Sequence, residues 1–493
     1  MFSDADVVGP LVAVSAYDSG LGEGASEVPA FHEGTSRLYV TNALTNSIDI
    51  IDVSSPEHPS LFRRVVVTGG APSSVDVSDD GSVAVSVIPD VWTDNGAVVF
   101  LDANGDHVGT VDVGPNPDHV IFTADGSQVL VANEGQPSDD YTIDPEGSIS
   151  VIDTTSMTST LLGFSGFNGQ DDGSYYLGPS GTTMAQGLEP EYIAIADDGL
   201  SAMVTLQESN ALARLVNTAG TWSIDSIHSL GLWTADELNF DCEAMDLSDK
   251  DDTPDNLCGV ELYFRPQPDT IKTFTIGEQV FWVTANEGDS RDYDGWSEEV
   301  RAEDLTLDDV VLGTSEFTST ADLLDRNVLG RLKTTTICGD EDGDGDMDFI
   351  CAYGSRNAIV WYVDELGELQ MASTLDIDAD PFLHEELREA NAYTASRDDD
   401  KGSEPEGVVV GTVDEDCATI FVGLERAGGV MTFEFCDQEG EYRSWPYGWS
   451  YVASQESPES LVVAHIDGED YLVVANEVSG TVTMYAWNDG PWW

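Results

Sequence analysis

Basic residues are scarce: the 493-residue chain carries 18 Lys and Arg against 93 Asp and Glu, a formal net charge of −75. Nucleic acid and anionic membranes require a basic patch, and none is visible, so both are poor partners. Histidine is sparse as well, with 7 residues and no H-E-x-x-H or equivalent pairing, which argues against a zinc hydrolase. G-x-S-x-G, phosphate-cradling glycine loops and dinucleotide fingerprints are missing. No run reaches the roughly 18 apolar residues of a membrane span. The opening MFSDADVVGPLVAV lacks the basic and long apolar regions of a secretory leader, so the expectation is a mature or excised domain with any signal or anchor outside it. Long amphipathic helical patterns are nearly absent.

What is present is enough apolar material for a core, 41% hydrophobic and 9% aromatic residues, which opposes disorder despite the charge. The length exceeds that of one ordinary core, so several domains or a repeat architecture is expected. The acids are spread along the whole chain, which suits a solvated surface in high salt, as in a halophilic or marine setting, with local clusters left over for divalent cations. Six cysteines fall in three close pairs, Cys242 with Cys258, Cys338 with Cys351 and Cys417 with Cys436. None has C-x-x-C spacing. Neighbour pairing is the simplest of the connectivities they allow and fits a secreted, extracellular or cell-surface location.

One pattern returns eight times: an acid or Pro-acid pair, an alternating strand, a D-G turn, a second strand ending near Asn-Glu, and a third ending in Asp. Its clearest copies are PDHVIFTADGSQVLVANEG from Pro117, EPEYIAIADDGLSAMVTLQES from Glu189 and SPESLVVAHIDGEDYLVVANEVSGTVTMYAW from Ser457. Others begin near Glu27, Ala71, Gln267, Gly330 and Glu404. Val, Ile, Thr and Tyr at period two with D-G or N-G turns signify hairpin-linked antiparallel strands. A four-stranded unit of about 40 residues is a propeller blade. The expected fold is therefore an all-β propeller of seven or eight four-stranded blades, with a β-sandwich pair as the alternative. Residues 1–25 read as a lead-in and 26–493 as the propeller, with insertions near 160–187 and 289–328, the latter holding a short helix around Glu298 to Leu305.

In such a blade the start of the first strand and the end of the second lie on one face. First-position acids Glu27, Asp118, Glu191, Asp269, Glu406 and Glu459 should form a ring at one channel mouth. Glu134, Glu208, Glu287, Glu425 and Glu477 should form a second ring beside it. So many carboxylates cannot all ionise without cations. Arg291, Arg356, Arg397, Lys401 and Arg426 are at hand, and hard divalent ions suit the remainder. The plainer reading is that these acids close blades by bonding backbone amides. His119 and His384 are more often structural than catalytic when isolated. Separately, DEDGDGDMD at 340–348 places Asp340, Asp342, Asp344, Gly345 and Asp348 in a D-x-D-x-D-G-x-x-D calcium pattern, in a hairpin rather than an EF-hand. DLSDKDDTPDN from Asp246 has no regular spacing and reads as a solvated turn.

Taken in order, ANEG at 132–135, GLEPEYIAIADDG at 187–199, TLQESNALA at 205–213, TANEGDSRDY at 284–293, DDDKGSEPEGV at 398–408, GLERAGG at 423–429 and VANEVSGTV at 474–482 resemble the choice-of-anchor I family. That family includes mesenchyme-specific cell-surface glycoproteins linked to biomineral deposition and atypical alkaline phosphatases. The resemblance implies an exported, calcium-rich propeller, with phosphomonoester hydrolysis in some members. The expectation is a monomeric calcium-dependent phosphoesterase acting on a small phosphoester. Glu191, Glu406, Arg397 and Arg426 are the catalytic candidates, Arg397 or Arg426 bracing developing charge, and Asp118, Glu134, Glu208, Glu287, Glu425, Glu459 and Glu477 would hold calcium, with a second divalent or iron-type ion at the mouth. The rival readings are a non-catalytic module binding calcium or mineral ions, and a partner-binding propeller using YAWNDGPWW and SWPYGWSY.

Overall fold

The period-two runs fold as seven four-stranded antiparallel sheets, described by a computed structural model over residues 10–238, 240, 242–243, 245–250, 255–377, 397–438, 440–452 and 454–487. From inside outward the first blade is Pro29–His32, Arg37–Asn42, Ser47–Asp52 and Ser60–Val66. The second is Ala71–Val77, Val83–Ile88, Asn95–Leu101 and His107–Pro115, and the third Pro117–Phe122, Gln128–Asn133, Ser148–Asp153 and Thr158–Gly163. The fourth is Ile193–Ile195, Ser201–Leu206, Ala211–Thr218 and Thr221–Ser229, and the fifth Ile271–Ile276, Gln279–Ala285, Asn357–Val363 and Leu369–Asp376. The sixth is Pro405–Val413, Cys417–Leu424, Val430–Gln438 and Glu441–Ser450. The seventh is Pro458–Ile466, Glu469–Asn476 and Thr481–Trp487, completed by Leu11–Asp18. The first strands of successive blades pack on one another in a closed cycle, the seventh against the first. This is a β-propeller, and the stretch expected as a lead-in supplies the strand that closes it.

The repeat count of eight exceeds the blade count because the copy near Gly330 is no blade. Its first hairpin, Lys333–Thr335 with Ile350–Tyr353, joins a five-stranded sheet in which Ile350–Tyr353 runs parallel to Leu262–Arg265. That sheet is built from chain inserted before the fifth blade and between its second and third strands. The helix expected around Glu298 to Leu305 is instead the strand Glu299–Arg301, paired with Lys333–Thr335, and one 3-10 turn, Ala302–Asp304. Strand pairing across the insertion outweighs the local helical preference of this charged run.

The core lies between blades. Leu130, Ala132 and Ile149 of the third meet Ile193, Val204, Leu206 and Leu215 of the fourth, all buried. Each such side chain contributes about 1.5–3 kcal/mol by leaving water. At the far end of the blades many aspartates act locally. Asp80 accepts from Ser78 Oγ (2.7 Å) and Ser82 N (2.9 Å), and Asp125 from Ser127 Oγ (2.7 Å) and Ser127 N (3.0 Å), and these hydrogen bonds hold both carboxyls below their usual range. The cysteines pair as neighbours, Cys242–Cys258, Cys338–Cys351 and Cys417–Cys436.

Candidate functional site

Five blades open with the same device, a non-glycine residue at positive φ followed by proline and an acid. The residues before proline are Asn116 (φ 47°), Glu189 (38°), Gln267 (48°), Glu404 (52°) and Ser457 (56°). Such a conformation costs on the order of 1–3 kcal/mol and persists where surrounding structure enforces it. Here it turns the carbonyl toward the end of the second strand. Glu134 N donates to Asn116 O (2.9 Å), Glu425 N to Glu404 O (2.9 Å), Glu477 N to Ser457 O (2.8 Å) and Gly288 N to Gln267 O (3.1 Å). The two sets of acids are thereby held on one face.

Glu134, Glu191 and Glu208 converge, each offering a carboxylate oxygen within 4.8 Å of the others, and all three are buried. Asn116 Nδ2 donates to Glu134 Oε2 at 2.5 Å. Oε2 of Glu191 and Oε2 of Glu208 are buried without a hydrogen-bond partner. Among the described residues no cation forms an ion pair with any of the three. Burial, then the neighbouring carboxylates, pushes all three well above the usual range. Beside them Arg291 is fully buried, with Nε 2.7 Å from Glu189 Oε2, and Nη1 and Nη2 donating to Tyr176 O (2.8 Å) and Gly187 O (2.7 Å). The insertion near 160–187 thus supplies the carbonyls that seat this arginine. Tyr293, kept protonated by burial and by Glu208, Glu189 and Glu134, packs edge-on to Tyr141 at 5.4 Å.

A second convergence joins Glu287, Glu404 and Glu425, and it is filled with cations. Lys401 Nζ lies 2.6 Å from Glu287, 3.6 Å from Glu404 and 3.7 Å from Asp289. Arg426 lies 2.9 Å from Glu425 and 3.4 Å from Glu404. Arg397 pairs with Glu404, its Nε at 2.8 Å, and with Asp400 at 3.2 Å. Arg356 donates to the carbonyls of Asp398 and Asp400, both at 2.8 Å. Gln207 Nε2 donates to Glu287 Oε2 (3.0 Å) and so ties the two convergences together.

The remaining acids complete a coupled set. Burial first, then neighbouring carboxylates, pushes Glu406, Glu459 and Asp269 well above their usual range, Glu459 acting on Glu406, Asp269 on Glu459 and Glu287 on Asp269, and Glu406 Oε2 is buried without a partner. Burial, then Glu477 and Asp118, raises Glu27 to about 8; burial raises Asp118 to about 6. Glu477 is raised too, by burial and Glu23. Unfolded carboxyls titrate near 4. The folded state therefore binds these protons more tightly than the unfolded chain, and stability falls as pH rises across the gap. Metal-free protein should lose melting temperature between about pH 4.5 and 8. His119 and His228, depressed by burial, act in the opposite sense but are outnumbered. Melts in chelator across this range check the sign; a melting temperature that climbs throughout contradicts it.

Other sequence candidates lie apart. Asp340, Asp342 and Asp344 bring oxygens within 4.8 Å in an exposed turn of the inserted sheet, where Asp340 also accepts from Gly343 N (2.7 Å) and Asp348 from Glu341 N (2.8 Å). His119 is buried and neutral, 3.6 Å from the Tyr192 ring, its Nδ1 accepting from Ile193 N (3.3 Å). His384 and the final WW lie outside the described residues. In SWPYGWSY, Trp449 is buried and donates to Gly428 O (3.0 Å), while Trp445 and Tyr447 are exposed on an outer strand. Sequence reasoning missed Glu189 and Glu404 as site residues. The signal was E-P-E, present at 189–191 and 404–406.

Among solved structures the chain is similar to Kuenenia stuttgartiensis hydrazine synthase, at 12% identity and TM-score 0.51, covering 95% of this chain and 97% of that one. It is also similar to the Cps50 (Swd1) β-propeller domain of Myceliophteria thermophila, at 9% identity and TM-score 0.46, covering 97% and 99%. A protein of unknown function from Desulfotomaculum acetoxidans gives 12% and 0.43, covering 91% of each chain. At such identities the likeness concerns fold alone. No curated protein matches the chain. The choice-of-anchor I domain matches residues 27–438, which carry the first five blades, three strands of the sixth and both acid convergences. The chain belongs to the choice-of-anchor I family.

Proposed function

We propose that this propeller works outside the cell, binds a divalent cation between Glu134, Glu191 and Glu208, and serves calcium-dependent hydrolysis of small phosphomonoesters. The observation that carries the reading is the pair of buried, unpartnered oxygens on Glu191 and Glu208 facing a third carboxylate with no ion-paired cation among the described residues. Two ligands of one calcium, each about 2.4 Å from it, stand at most about 4.8 Å apart, and all-oxygen donors of this hardness suit calcium. The three disulfides fit an oxidising exterior.

A divalent ion held there would supply positive charge to a phosphoryl oxygen. Glu191 is then a holding residue, and Glu406 is the carboxylate left to take a proton. Arg426, 42% exposed in its side chain, is the cation best placed to meet an anionic substrate from solvent. Arg397 and Arg426 are, however, already paired with carboxylates, and this favours a second reading, a non-catalytic module binding calcium or mineral ions. Under the first reading, purified chain with calcium releases phenol from aryl phosphates at alkaline pH, and Glu208→Gln abolishes the release. Calcium binding lost in Glu208→Gln, with no phenol released by the wild type, selects the second.

A further inference from the structure

The two acid convergences share two of their three positions. Glu134 follows the second strand of the third blade, Glu208 follows that of the fourth, and Glu191 precedes the first strand of the fourth. Glu287 and Glu425 hold the matching places in the fifth and sixth blades, while the third member there is Glu404, with Glu406, the E-P-E counterpart of Glu191, beside it in the first strand of the sixth. Glu189 and Glu404 match as well, each before a proline at positive φ and each paired with an arginine, Arg291 or Arg397. The difference is what lies between the acids. One convergence has two buried, unpartnered oxygens; the other has the Lys401 ammonium among Glu287, Glu404 and Asp289.

We propose that Lys401 is a resident cation in a second metal-type site, its ammonium taking among Glu287, Glu404 and Glu425 the role that a divalent ion takes in the first, so that the mouth takes one ion rather than two. The inference rests on the first convergence being a divalent site. A tethered ammonium is a single charge with three donors and no need of ligand exchange, so it neutralises Glu287, Glu404 and Asp289 whatever the calcium concentration. Remove it, and Glu287, Glu404 and Glu425 remain with oxygens within 4.8 Å of one another, Glu404 and Glu425 flanked by Arg397 and Arg426 and Glu287 left without its cation, beside the unpartnered Oε2 of Glu406.

The test counts calcium per full-length chain by calorimetric titration, confirmed by elemental analysis after gel filtration. Lys401→Met should bind one calcium more than wild type, and adding Glu425→Gln should remove that gain. Lys401→Arg, which keeps the charge, should leave the count unchanged. If Lys401→Met folds only when calcium is supplied, the ion is taking the lysine's place and the proposal stands. A folded Lys401→Met with the wild-type count overturns it, as does a variant that folds neither with calcium nor without. The two claims separate cleanly. If Glu208→Gln leaves the wild-type count unchanged, the first site is wrong; if Glu208→Gln loses a calcium while Lys401→Met gains none, only the resident cation is wrong.

Discussion

Glu208→Gln should be more stable than wild type in chelator and less stable in calcium. Without metal the Glu208 carboxyl is forced well above its usual pKa by burial first and then by Glu189 and Asp289, so a neutral amide removes the cost of ionising it. With metal the same carboxylate is a ligand. An ion that binds only the folded chain stabilises it by about 2.7 kcal/mol at a hundred times its dissociation constant. The variant should need at least about tenfold more calcium for the same gain, equivalent to about 1.4 kcal/mol. Denaturant titrations with and without calcium measure both signs. Wild-type-like behaviour in both conditions would remove Glu208 from the site.

Arg291→Met should be among the most damaging single substitutions in the fold. The arginine is fully buried and answers Glu189, itself buried, while also bonding two carbonyls of the inserted segment. Removing one member of a buried pair leaves a charge uncompensated and typically costs about 3–5 kcal/mol. Glu189→Gln in the same chain should recover a large part of that loss, because the stranded charge goes with it. The double-mutant cycle is read by denaturant unfolding in chelator. A single variant within about 1 kcal/mol of wild type contradicts the seating described.

The propeller is legible in the sequence because its determinants are local. Val, Ile and Thr alternate within each strand, and Asp80-Gly81, Asp125-Gly126 and Asp467-Gly468 mark their turns. The convergence of the mouth acids is legible for the same reason, since each acid sits at a fixed place relative to its own hairpin. The inserted sheet is not. Its parallel pairing of Tyr263 with Cys351 joins residues far apart in sequence, so the chain near Gly330 imitates a blade while belonging elsewhere. Nor does the sequence distinguish the two convergences. That Arg397 and Lys401 neutralise one set of acids depends on how their segment lies across the mouth, which no period or spacing encodes. The left-handed turns at Glu189 and Glu404 are hidden for a different reason: residues before proline ordinarily favour extended backbone.

The most direct measurement is anomalous scattering from crystals grown in calcium, or in a heavier divalent substitute. The account predicts a strong peak bounded by Glu134, Glu191 and Glu208, with carboxylate oxygens at about 2.3–2.6 Å, and none beside the Lys401 ammonium. Ordered, calcium-soaked crystals showing density for all three side chains and no ion between them would contradict it.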